Sequence, residues 1–203
     1  RSGLSQGSAG HINIRGTGSH PNTQVLMLID GHPQFMGIFG HPLPDAYVTS
    51  DVKKVEIIRG PASILYGSNA MGGVINLITK EQKQDGFTSN GQFMYGSHNT
   101  QKYTARAGYK KDRFSIMASV NHDQTDGHRD SSDFNITNGY MKSSYQISDY
   151  LSVKADGSFA TYESQDPGLI MASAGNFIDI QRGRTSLSLE NQFDKTEGEL
   201  KVY

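Results

Sequence analysis

The sequence predicts two architectures in succession, a compact mixed α+β unit followed by strands of an antiparallel transmembrane β-barrel. Three observations carry this expectation. Short, continuously apolar runs mark the first part: VLMLID at 25–30, VEIIR at 55–59 and GVINLITK at 73–80. Such runs fit strands covered on both faces. From Phe87 onward apolar and polar residues alternate with a period of two, in runs of about 9–12 residues, the length of a tilted strand crossing a bilayer. Composition is the third: of 203 residues 35% are apolar, 23 are Gly and none is Trp. That is too polar for one large core, but it suits strands with one wet side.

Within the first part, PASILYG at 61–67 starts on Pro and ends on Gly, which predicts one or two helical turns. The glycines at 60, 67, 72 and 73 permit tight turns and close backbone approach. In the second part, YTARAGY sets Tyr103, Ala105, Ala107 and Tyr109 on one face and Thr104 and Arg106 on the other, with Lys102 just ahead on that polar face. FSIMASV repeats the pattern with Phe114, Ile116, Ala118 and Val120. LSVKADGSF and TSLSLENQF do the same, their polar faces carrying Lys154, Asp156, Ser186, Ser188, Glu190 and Gln192.

Seven strands are expected near 88–95, 101–110, 113–123, 135–147, 150–163, 182–194 and 196–203. After the first connection, the odd-numbered ones are long and the even-numbered ones short. Outer-membrane barrels have short periplasmic turns and long external loops, so the first strand is expected to run outward. An antiparallel sandwich also alternates, but its inward face would carry more large apolar residues. Seven strands cannot close a bacterial single-chain barrel. The chain is therefore expected to be a fragment, with the compact unit at 1–82 and the first barrel strands at 83–203.

Charge and composition exclude several functions. A net charge of -1 provides no basic field for nucleic acid. The lack of Cys removes disulfides, thiolate catalysis and Cys-based zinc sites. The longest apolar run, 25–29, falls far short of the roughly 20 residues of a spanning helix. SNAMGG lacks the Lys-Ser/Thr of a phosphate-binding loop, GSAG at 7–10 is no nucleophile elbow, and no acid, base and nucleophile set stands out. An enzyme is not expected. Asp126, Asp130 and Asp133 break the spacing of a calcium-binding EF-hand loop.

INIRG at 12–16, VLMLIDG at 25–31, VEIIRGPASILYGSNAMGGVINLITK at 55–80 and the alternating strands after them resemble a TonB-dependent outer-membrane receptor along the whole chain. The resemblance implies the later part of a plug domain followed by about the first seven strands of a plugged, 22-stranded barrel. It implies location in the outer membrane of a Gram-negative bacterium and energised import of a ferric siderophore or other iron complex, haem or cobalamin. A barrel receptor for adhesion or signalling without transport is the alternative. The implied partners are TonB, through a segment outside this chain, the transported ligand, outer-membrane lipid and a surface lipoprotein. No cofactor is expected.

By the same resemblance, Arg15 and Arg59, each before Gly at a strand end, and Glu56 would latch the plug to carboxylates of the barrel wall. A bidentate Arg–carboxylate pair is directional and strong enough to hold register; a solvated strand-end charge is the plainer reading. The segment GHPQFMGIFGHPLPD at 31–45 would form an apical loop facing the ligand. There Phe35, Met36, Ile38 and Phe39 offer soft apolar surface, while His32, Gln34 and His41 offer polar or metal-binding tips. Packing of Ile38 and Phe39 against the wall is the alternative. GTGSHPNTQ at 16–24 is a second apical candidate with His20 and Asn22. No HxxxH or HExxH spacing links the histidines, so a metal ligand set is not assigned. His98 and His128 could join a site from the external loops. The apolar segment at 164–181, with Ile170, Met171 and Phe177, would line a ligand vestibule, meet a partner or fold back over strand edges.

Overall fold

The computed structural model describes residues 12–17, 24–34, 51–166 and 176–203. The chain divides into two compact units, Arg1–Lys80 and Glu81–Tyr203.

The first unit is built on a four-stranded mixed sheet. Its strands are β1 (Val25–Ile29), β2 (His32–Pro33), β3 (Val52–Arg59) and β4 (Gly73–Thr79), in the order β2-β1-β4-β3. β1 runs parallel to β4, and β2 and β3 pair antiparallel at the two edges. The apolar run of β1 takes the interior as expected, with Val25, Leu26, Met27 and Leu28 all buried. Leu26 and Leu28 meet Ala62, Ala70 and Val74 in the core. Burying a Leu side chain stabilises by roughly 1.5–3 kcal/mol, so this small cluster carries much of the unit.

Asp30 and Gly31, with φ of 47° and 78°, form the two-residue turn from β1 to β2. Positive φ at both positions suits the twist of a hairpin, and Asp-Gly is a favoured pair for it. The Asp30 carboxylate then accepts the Thr79 N–H at 2.9 Å and the Thr79 hydroxyl, while Asp30 N–H donates to Leu77 O at 3.0 Å. One turn residue thus ties the ends of β1 and β4 together. At the other end of the sheet, Gly73 has φ 144° and a Cβ there would lie 2.4 Å from Ile58 O, so only glycine fits.

Two expectations for this unit are corrected, for β3 and for INIRG. β3 is not covered on both faces among the described residues: Val55, Ile57 and Ile58 are 45–49% exposed, on an edge strand whose one neighbour is β4. The helix α1 (Ser63–Tyr66) is the expected single turn ending at Gly67, and it begins two residues after Pro61, with Ala62 at its N-cap. A 3-10 turn, Ser68–Ala70, follows it. INIRG does not end a strand, since Ile14 and Thr17 form an isolated bridge around a turn at Arg15 and Gly16.

The second unit is a seven-stranded antiparallel meander of β5 (Gly86–Gly96), β6 (Thr100–Lys111), β7 (Phe114–Thr125), β8 (Phe134–Ser148), β9 (Leu151–Asp166), β10 (Asn176–Phe193) and β11 (Thr196–Val202). Every strand pairs with its sequence neighbours. The number of strands and the alternation of connections are as predicted: 112–113, 149–150 and 194–195 are two-residue turns at one end, and 126–133 is a long connection at the other. The fifth connection is shorter than expected. Residues 164–166 and 176–180 are paired strand, Phe177 lying opposite Gln165, so its apolar FIDI is part of the sheet.

Register sorts the side chains into two faces. One row reads Arg106, Ser119, Tyr140, Ser158 and Arg184 across β6 to β10, and the row beside it reads Ala107, Ala118, Met141, Gly157 and Thr185. The first face holds the buried residues, among them Ser119, Asn121, Asn138, Tyr140, Tyr162, Ser164, Ser186 and Ser188. The second exposes Phe87, Tyr103, Tyr109, Val120, Met141, Phe159, Leu187 and Leu189. A sheet with polar residues buried and apolar residues exposed is inverted relative to a water-soluble sheet, and it is what a bilayer requires. Aromatic residues flank the apolar band: Phe87, Tyr109, Phe114, Tyr145 and Phe193 lie toward the two-residue turns, and Phe93, Tyr95 and Tyr103 toward the other end. This matches the aromatic girdles of barrel proteins. Among the described residues no helix is long and apolar enough to cross a membrane.

Candidate functional site

The residues expected to latch the first unit fall on its β3 side. Arg59 ends β3 opposite Gly73. The turn that carries Arg15 leans on the same place: a Cβ on Gly73 would meet Ile14 Cδ1 at 3.0 Å, and one on Gly72 would meet Thr17 Cγ2 at 2.9 Å. Arg15 and Arg59 therefore share one end of the sheet, and both are exposed. Among the described residues neither has a carboxylate partner.

Glu56 does not join them. It sits three residues back on β3, opposite Asn76, and on the other face of the strand from Arg59. Lys54 Nζ holds its carboxylate at 2.8 Å. The Lys54 hydrogen bond and charge, aided by Asn76, keep the Glu56 carboxyl below its ordinary value against slight desolvation. Asn76 also uses its side-chain oxygen to accept the Gly31 N–H at 3.1 Å. Glu56 is thus tied to the β1–β2 turn through β4.

Of the residues expected to face a ligand, the structure describes two. His32 is half-buried in β2. Gln34 is 1% exposed, its amide donating to His32 O at 2.8 Å and its backbone N–H to Met27 O at 2.9 Å. It closes the β1–β2 hairpin from inside. Phe35, Met36, Ile38, Phe39, His41, His20, Asn22, Ile170 and Met171 lie outside the described residues. His98 is in the β5–β6 turn with φ 55°, and its carbonyl accepts the Asp126 N–H at 2.9 Å and the Thr125 hydroxyl at 3.2 Å. That connection is therefore pinned to the start of the 126–133 loop, which carries His128. Among the described residues no cluster of three or more His, Asp or Glu could hold a metal ion.

The polar face of the second unit carries a charge network that sequence spacing alone did not reveal. Arg184 pairs with Asp156 at 2.7 Å, both side chains below 8% exposed. The Ser186 hydroxyl donates to the same carboxylate, and the Arg184 guanidinium lies 5.9 Å above the Tyr140 ring. Lys154 pairs with Glu190 at 2.7 Å, and Lys142 with Glu81 at 2.9 Å. The alternation of LSVKADGSF and TSLSLENQF had placed Lys154, Asp156, Ser186 and Glu190 on one kind of face. Which charge meets which is decided by the register of β9 with β10.

Residues 2–74 match the family described as TonB-dependent Receptor Plug Domain. Three solved structures share the fold. The siderophore receptor PirA from Pseudomonas aeruginosa is 21% identical with a TM-score of 0.67, over 94% of this chain and 33% of its own. The ferripyoverdine receptor of the outer membrane of the same organism, bound to ferripyoverdine, is 15% identical with a TM-score of 0.63, over 83% and 25%. The ferric enterobactin receptor PfeA of that organism, in complex with enterobactin, is 16% identical with a TM-score of 0.61, over 89% and 33%. The chain thus spans a quarter to a third of the length of these receptors. Residues 2–74 thus match the plug-domain family, and the chain shares the fold of these receptors across both of its units.

Proposed function

We propose that the intact protein lies in the outer membrane of a Gram-negative bacterium and imports a ferric siderophore in a TonB-dependent manner. The observation that carries this reading is the direct chain connection between a plug-type sheet and a sheet with buried polar and exposed apolar faces. The siderophore is preferred over haem or cobalamin because the three similar structures are siderophore receptors by description. The plug extends to about residue 82 and the barrel begins there. Energised binding and passage, and not catalysis, is its activity.

In this reading the 31–45 segment, with His32, Phe35, Met36, Phe39 and His41, and the 16–24 segment, with His20 and Asn22, face the ligand. Gln34 belongs to the first of them. Arg15 and Arg59 latch the plug to wall carboxylates, and Glu56 holds the β3–β4 pair behind them. TonB contacts a segment outside this chain, and a surface lipoprotein is a further partner.

The test is a binding and uptake screen of the intact receptor with radiolabelled ferric siderophores, haemin and cobalamin, in cells with and without TonB. TonB-dependent uptake of a ferric siderophore is expected. Binding without uptake would favour the adhesion or signalling alternative, and a Soret shift with haemin alone would transfer the assignment to haem.

A further inference from the structure

Residues 80–85 join β4 to β5, and their side chains are fastened to the polar face of the second unit at three places. Glu81 Oε1 lies 2.9 Å from Lys142 Nζ in β8 and 3.9 Å from Lys154 Nζ in β9. The Lys142 side chain is 10% exposed, so this ion pair is partly shielded from solvent. Lys154 is itself held by Glu190 of β10. Gln82 turns toward β5 and β6 on the same face: its Oε1 accepts the Thr88 hydroxyl at 2.7 Å, and its Nε2 donates to Gln84 O at 2.7 Å. Its amide occupies the space over Gly108, where a Cβ would come within 2.4 Å of Gln82 Oε1. Asp85 completes the set, pairing with Lys110 of β6 at 2.7 Å.

Lys142, Lys154, Thr88, Gly108 and Lys110 all belong to rows of the polar face. Five consecutive residues therefore reach β5, β6, β8 and β9, which is more attachment than a simple connector requires. Gly108 matters to this arrangement, because any larger residue would displace the Gln82 amide.

We infer that residues 81–85 form a clamp that anchors the joint between plug and barrel, so that a pull on the plug stops at Glu81. The mechanical reason lies in the pairing of β5. A load entering at Gly86 would act on the first wall strand and strain the β5–β6 pairs of residues 86–96 one after another. A clamp ahead of Gly86 delivers the load across β8 and β9 through Lys142 and Lys154 instead. The plug can then be displaced or unravelled while the first wall strand stays paired. That a pull occurs in the cell rests on the TonB-dependent reading above; the clamp itself does not.

Single-molecule force spectroscopy on the full-length receptor in a supported bilayer, pulled from its N-terminus, tests the inference. After the plug has unravelled, the wild type should show a separate last release of residues 81–85, about 17 Å at 3.3–3.6 Å per residue, before β5 is loaded. In Glu81→Gln combined with Gln82→Ala this release should merge with the preceding one and β5 should peel at lower force. Lys142→Met should reproduce the effect of Glu81→Gln from the other side of the pair. Heat-modifiable gel mobility confirms that each variant retains a folded barrel. A wild-type trace without the separate release, or a release unchanged in the combined variant, overturns the inference. Failure of siderophore uptake in the screen above would leave these traces unaltered, so the two readings fail independently.

Discussion

The two sheets of this chain solve opposite problems with similar residues. In the first unit the apolar run of β1 is sealed between two neighbouring strands, with the polar residues at turns and edges. In the second, the sheet exposes Val120, Met141, Leu187 and Leu189 and buries Ser119, Asn121, Asn138 and Ser188. The first arrangement is driven by removing apolar surface from water. The second fits lipid on one side and a wet interior on the other. The contrast teaches that burial in this protein must be read against the medium each face meets.

The contrast can be attacked from the buried ion pair downward. Asp156→Ala leaves Arg184 buried beside Tyr140 without its carboxylate, and such a loss costs about 3–5 kcal/mol. It should lower the urea midpoint of the barrel in heat-modifiability assays and leave plug unfolding unchanged. Leu26→Ala attacks the other core and should cost about 2–5 kcal/mol, seen as earlier proteolysis of the plug. Ile58→Ala on the exposed strand β3 should cost clearly less in the same assay; an equal cost would mean that β3 is as well covered as β1. Val120→Arg places a charge on the apolar face and should cost about 2–4 kcal/mol near the bilayer midplane. Measured by barrel folding into vesicles, a neutral result would remove the membrane assignment of that face.

The smallest effect is expected at Glu81. Partial burial raises its carboxyl, but the hydrogen bond from Lys142 and the charges of Lys142, Lys154 and Lys83 outweigh this and hold it below its ordinary value of 4.5. A carboxyl lowered in the folded state contributes stability that is present above its unfolded pKa and lost as pH falls through the folded one. The Glu81 contribution should therefore persist at neutral pH and fade below pH 4.5. Its size is discounted for exposure to about 1 kcal/mol or less. In Glu81→Gln this part of the acid dependence should vanish from the force at which residues 81–85 release.

Much of the fold was legible because periodicity is local. Period-two alternation marked β6, β7, β9 and β10. The Asp30-Gly31 turn and the short strand β2 were not legible, since 25–30 reads as one strand and 31–45 as a loop. Edge and centre were not legible: VEIIR and VLMLI read alike, yet strand order leaves β3 at the rim. The segment around Phe177 misled for a related reason. An apolar run beside a glycine-containing loop reads as loop until its partner, here residues 164–166 of β9, is known. Of the candidate site, the placement of Arg15 and Arg59 at one end depended on the close approach at Gly72 and Gly73. The inward placement of Gln34 was not legible, because a polar residue after a turn can point inward as easily as outward.

By itself the sequence determined the two architectures, the change between them near residue 80, the strand count and the alternation of short and long connections. These follow from side-chain spacing along a single strand. Tertiary structure decided which strand is an edge and which charges meet. It also decided that Glu81, Gln82 and Asp85, which look like an ordinary polar linker, are clamped to four strands. Such contacts join residues as far apart as Glu81 and Lys154, and only the register of the intervening strands brings them within hydrogen-bonding or ion-pair distance.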